Sequence, residues 1–224
     1  MKIELAALAI PLAFSFDRKV AFYKMWSFIL PAILLNALFF IGLDIFFTSE
    51  GAWGFNPDYH SIIIIAGLPL EEALFFIIIP YCCLFIHYVF IAYLPNTSLS
   101  NKITRLVSIL SITIFLVWGL SDISRSYTLV YTILCVTSIV IAWIFNKQTL
   151  SKYYITFLIM FIPFMITNSI LTGTFIGDGV FWYKASEISG MKILSIPVED
   201  ALFTFCMILL TILTAEYFRK LQKK

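Results

Sequence analysis

Long apolar runs alternate along the chain with short polar loops, near residues 3–16, 26–48, 61–94, 103–121, 127–145, 153–175 and 193–218. About 20 mostly apolar residues suffice to cross the hydrocarbon core of a bilayer, so the pattern predicts roughly seven transmembrane helices. The expected fold class is all-α, a polytopic membrane helix bundle. Composition strengthens that reading. Of 224 residues 61% are hydrophobic and 12% charged, whereas a soluble domain is roughly 45–50% apolar.

The first run is short and opens Met1-Lys2-Ile3-Glu4. No small-x-small cleavage site follows it before Ser15-Phe16-Asp17-Arg18-Lys19, so it is expected to stay in the mature protein. Cys82, Cys83, Cys135 and Cys206 all fall inside spans without metal-ligand spacing, and are expected to be reduced packing residues with no metal site. The net charge of +2 says little, but its distribution orients the bundle. Arg18, Lys19 and Lys24, then Lys102 and Arg105, then Lys147 and Lys152, and finally Arg219, Lys220, Lys223 and Lys224 mark alternate loops and the tail. By the positive-inside rule these face the cytoplasm, which puts the N-terminus outside and the C-terminus inside the cell membrane. The other loops, with Glu50 and Asp58, Asp122 and Arg125, and Asp178, Lys184, Glu187 and Lys192, have no basic excess. The same rule accounts for the basic tail, and nucleic acid is not expected as a partner.

Two patterns recur between the halves. Pro31 to Asn36 reads Pro-x4-Asn, as does Pro163 to Asn168; Pro69-Leu-Glu-Glu-Ala-Leu-Phe75 returns as Pro197-Val-Glu-Asp-Ala-Leu-Phe203. The order suggests a first three-helix repeat over 1–97, a linker helix over 98–123 and a second three-helix repeat over 124–224, together one compact membrane domain. The odd linker helix restores direction, so the repeats are parallel and both acidic motifs open on the outer side. With helix assumed from residue 193, Glu199 would sit about 10 Å along it from Lys192.

Proline in a first helical turn followed by two acids can simply start a helix, its carboxylates complementing the dipole. Yet intramembrane carboxylates cost roughly 2.5–3.5 kcal/mol each on insertion scales and are functional by default. In general, desolvation and a second carboxylate favour retention of a proton, so paired acids can supply both an acid and a base. Glu71 and Glu72 point about 100° apart on a helix, so one acid from each repeat converges more naturally than two neighbours. Phe75 and Phe203 lie beside the acids, where an aromatic face could hold a cation out of water. This combination points to protonation of an apolar alkene dissolved in the bilayer.

These residues resemble the cofactor-independent lycopene cyclases, which occur as two small membrane subunits or as their fusion. The likeness rests on Ser15-Phe16-Asp17-Arg18-Lys19-Val20, Trp53-Gly54-Phe55-Asn56-Pro57, the Pro69 to Phe76 motif and the Pro197 to Phe203 motif, and covers nearly the whole chain. It implies lycopene β-cyclase activity in carotenoid biosynthesis, with γ-carotene or β-carotene as product: a proton adds at C2, the C5=C6 bond attacks the C1 cation, and a proton leaves C6. That is a redox-neutral isomerisation. The resemblance carries the acidic roles onto Glu71, Glu72, Glu199 and Asp200, leaving acid and base unassigned. The flavin-linked cyclases have a dinucleotide fingerprint, and no Gly-x-Gly-x-x-Gly occurs here, so no cofactor is expected.

Asn36 and Asn168 are candidates for orienting carboxyls or lining the substrate site, or else for interhelical packing. Asp44 and His87 are weaker candidates, and the Trp53 to Asp58 segment is either a lid over the acids or a turn. Expected partners are lycopene and membrane lipid; a homo-oligomer, or association with other carotenoid enzymes, is compatible with the chain. The competing readings are a small transporter with parallel repeats, a retinal-binding seven-helix protein, for which span seven lacks a lysine beyond Lys192 at its edge, and a related carotenoid hydratase. Clustering of the ionisable residues near one face favours the enzyme over the transporter.

Overall fold

The computed structural model describes residues 2–174 and 179–223; Asp178 and Lys224, named above among the loop and tail charges, lie outside the described residues. Among the described residues seven α-helices make the bundle: α1 (Lys2–Phe14), α2 (Trp26–Ser49), α3 (Leu70–Tyr93), α4 (Asn101–Gly119), α5 (Ser126–Phe145), α6 (Lys147–Leu171) and α7 (Val198–Leu221). All but α1 are long and apolar enough to cross a membrane. The chain is a multi-pass membrane protein.

At 1.5 Å per residue the 13 residues of α1 reach roughly 20 Å, short of the ~30 Å hydrocarbon core. The segment that follows completes the distance. Ser15 hydrogen bonds to Tyr81 midway along α3, Phe22 is buried among Tyr81, Phe85 and Tyr88, and Lys19 sits over the ring of Tyr93, the last residue of α3. The buried α7 is central, packing on α2 and α5 and also on α3 and α6; α4 is peripheral and packs chiefly on α5.

Three helices begin elsewhere than the apolar pattern indicates. Span three was expected from residue 61, but Ile64–Ile65 (β2) and Leu68–Pro69 (β3) form a hairpin, turning through Ala66 and Gly67 at positive φ, and α3 starts only at Leu70. The isoleucine run is β-branched and ends in a turn and a proline, which suits an extended arm better than a helix. Span seven is likewise preceded by a hairpin, Lys192–Ile193 (β5) with Ile196–Pro197 (β6), turning at Leu194. The expected helical rise between Lys192 and Glu199 is therefore absent, and both acid pairs stand in the first turn of their helices. Span six begins at Lys147, six residues early, because the Asn146 side chain caps it by accepting from the Thr149 N–H.

The loops after α2 and α6 meet over the bundle end where α3 and α7 begin. Trp53–Phe55 (β1) pairs antiparallel with Phe181–Tyr183 (β4), with Trp53 opposite Tyr183 and Gly54 opposite Trp182. A Cβ on Gly54 would lie 2.6 Å from the Trp182 ring, so glycine is what lets the indole lie on the strand. This ribbon covers the acidic helix starts.

Candidate active site

The sequential acids of each motif divide. Glu71 and Glu199, the first of each pair, fasten the preceding loop: Ser61 donates its N–H and hydroxyl to Glu71 at 3.1 and 2.9 Å, and Ser189 donates its N–H to Glu199 at 2.6 Å. The serine stands ten residues before its glutamate in both cases. Glu199 is fully buried and also accepts from the Thr128 hydroxyl at 2.7 Å. These two carboxyls serve the helix starts and their loops, and neither lines the cavity described next.

Glu72 and Asp200, one helical step on, turn inward. They line one cavity with Asp44 of α2, and all three are buried. Its other walls are Trp53, Phe75, Tyr127, Phe164, Asn168, Phe181, Tyr183 and Phe203. The roughly 100° between neighbouring helical side chains thus separates anchoring from cavity-lining acids, and the cavity-lining acids from α3 and α7 converge.

Asp44 and Glu72 face the same cavity from α2 and α3, and both are buried. Ionised carboxylates only accept hydrogen bonds, so any direct contact between the two needs a proton held in common. Asp200 is differently served, because Asn168 Nδ2 and the Tyr183 hydroxyl both donate to its Oδ2, at 3.0 and 2.9 Å. Tyr183 lies in the covering ribbon, and burial together with the Asp200 carboxylate holds its phenol well above the ordinary range, so it stays a donor.

Phe75 and Phe203 stack at 6.3 Å between centroids with planes 20° apart, and both face the cavity. Tyr131 and Phe40 meet Phe203 edge-on at 5.4 and 5.8 Å. Asn168 is in the site; Asn36 is not. Asn36 donates to the Ala32 carbonyl and the Thr214 hydroxyl, two turns of α2 from Asp44 toward the opposite end. His87 is buried against Thr156, also away from the acids.

Sequence reasoning gave Asp44 little weight and passed over Tyr127 and Tyr183. Asp44 had a signal, as the sole ionisable residue inside an otherwise apolar α2. Tyr183 had none, because its role depends on the pairing of two distant loops.

Fold and cavity together define a multi-pass membrane protein with three buried carboxyls gathered among aromatic rings. Comparison of families gives this class its member: the lycopene cyclase family matches residues 2–90 and 124–218, and the chain belongs to that family. It is an enzyme, an isomerase, and the family implies lycopene as substrate. The two matched stretches exclude the end of α3 and all of α4. No curated protein and no solved structure matches the chain.

Proposed function

We propose that the chain is a lycopene β-cyclase, converting linear ψ end groups to β-ionone rings by redox-neutral acid–base chemistry to give γ-carotene and β-carotene. The observation that carries this reading is the convergence of Glu72, Asp44 and Asp200 in one buried cavity walled by aromatic rings. The buried Asp44–Glu72 pair holds the proton that adds to C2 of the end group. The resulting C1 cation is attacked by the C5=C6 double bond, forming the C1–C6 bond and moving the positive charge to C5. Asp200, oriented through Oδ2 by Asn168 and Tyr183, takes the C6 proton on Oδ1, and the C5=C6 bond re-forms. One proton enters and one leaves. The stacked Phe75 and Phe203 faces stabilise the cation.

Two supporting proposals concern organisation. Residues 1–97 and 124–224 are read as parallel three-helix repeats around a linker at 98–123, supported by the matching hairpins and the matching serine–glutamate contacts. The acid end is assigned to the outer face, because Lys19, Lys102, Arg105, Lys147, Lys152, Arg219 and Lys220 belong to helix ends and loops at the other. Expression in a host that accumulates lycopene, followed by pigment chromatography, tests the activity. Cyclised carotenoid is expected, and unchanged lycopene despite confirmed protein in the membrane refutes the reading.

A further inference from the structure

The acid cavity is small, about 40 Å³. That is room for a few waters and not for a branched end group of ten carbons. Its loop side is covered by the β1–β4 ribbon, which contributes Trp53, Phe181 and Tyr183 as walls. A second cavity of about 370 Å³ lies behind it, between α1, α3 and α6. Phe75, Phe164 and Asn168 line both, so these side chains form the partition between the two spaces.

This second cavity is a groove of almost wholly apolar wall, made by such residues as Ala7, Ile79, Met160 and Pro163. At its margins Ile10 is 66% and Ile166 59% exposed, so in a bilayer the groove opens sideways to lipid. A ligand suited to it has an extended hydrocarbon body and little need of hydrogen bonds.

We propose that the α1–α3–α6 groove is the binding site for the polyene body of the substrate, admitted laterally from the bilayer, with its end group passing the Phe75–Phe164 partition to reach the acids. The proposal rests on the cyclase reading of the acid cavity and adds the route and the seat of the chain. The wall shared with the acid cavity selects this occupant over a lipid tail, because only a molecule that reacts beyond the partition gains from that adjacency. The ribbon that closes the loop side and the lateral opening of the groove point to the same direction of arrival.

The test uses the full chain carrying Asp200→Asn, purified in detergent from a lycopene-accumulating host. Lycopene is expected to co-purify in near-stoichiometric amount. Adding Ala7→Trp or Thr167→Trp fills the groove and should lower retention roughly tenfold, equivalent to about 1.4 kcal/mol of binding. Leu38→Trp, on a lipid-exposed face of α2 away from the groove, should leave retention unchanged. Ile166→Trp gives the same groove test at a position already exposed, should the bulkier interior changes impair folding. In the otherwise native chain, Ala7→Trp should raise the lycopene level needed for half-maximal rate while sparing the maximal rate.

Full retention in all the groove variants, no retention by Asp200→Asn alone, or mass-spectrometric recovery of phospholipid in place of lycopene each overturns the proposal. A native chain that binds lycopene through the groove yet never cyclises it would instead refute the cyclase reading and leave the groove assignment standing.

Discussion

Substituting each member of one acid pair separates the roles that the fold assigns to them. In Glu72→Gln the side-chain shape is kept while the carboxyl that can hold and release a proton is lost. A positioned general acid contributes about 10²- to 10⁴-fold to rate, or roughly 3–5 kcal/mol of barrier. Cyclisation should fall by that factor with little change in folding. Glu71→Gln alters only the partners of Ser61, at 3.1 and 2.9 Å, and the amide oxygen can still accept one of them. Net hydrogen bonds of this kind are worth about 0.5–1.5 kcal/mol, so the effect should appear in thermal stability, with activity per folded molecule within about tenfold of the parent. The assay is the initial rate of lycopene consumption in reconstituted vesicles, normalised to folded protein, with pigment chromatography to identify product. Equal loss of activity in the two variants, or a Glu72→Gln enzyme of near-native rate, would refute the division of labour.

Thr128→Val removes one of the donors to buried Glu199 and should cost about 1–3 kcal/mol, read as a lowered thermal midpoint, while turnover of the folded fraction stays near normal. Gly119 ends α4 where an added Cβ would overlap the Thr132 side chain of α5; Gly119→Ala should destabilise by about 1–3 kcal/mol, and Thr132→Ala should recover part of the loss in the same melting assay. Tyr183→Phe removes a donor to Asp200, and at about 1.5–3 kcal/mol for a charged partner the rate should drop roughly 10- to 100-fold. Because the folded-state pKa of Tyr183 is raised, its contribution to stability is complete below the ordinary phenol value of about 10 and fades as pH rises above it. The stability gap between native chain and Tyr183→Phe should therefore narrow as pH rises beyond about 10; a gap that widens there would contradict the assigned environment.

Much of the architecture was legible because bilayer insertion is governed by length and apolarity, both written locally. The six long spans follow from that, as does the suspicion attached to Glu-Glu and Glu-Asp beside a proline. Helix starts were less legible where Ile62 to Ile65 and Lys192 to Pro197 continue the apolar run but fold as hairpins. Mean apolarity does not distinguish a membrane helix from an extended arm, whereas turn-forming Ala66-Gly67 and the proline do.

The sequence by itself determined that this is a multi-pass membrane protein of the lycopene cyclase family with acids at two equivalent helix starts, since composition, spacing and repeated motif are properties of the chain alone. Only the tertiary structure decided which acids matter to a common site. Adjacent side chains on a helix face different neighbours, so Glu71 and Glu199 reach back to their loops while Glu72 and Asp200 meet Asp44. Asn36 and Asn168 occupy similar sequence contexts but different depths in the bundle, and only the latter reaches a cavity-lining carboxyl. The pairing of loops more than a hundred residues apart brought Tyr183 over Asp200, a contact no local pattern encodes.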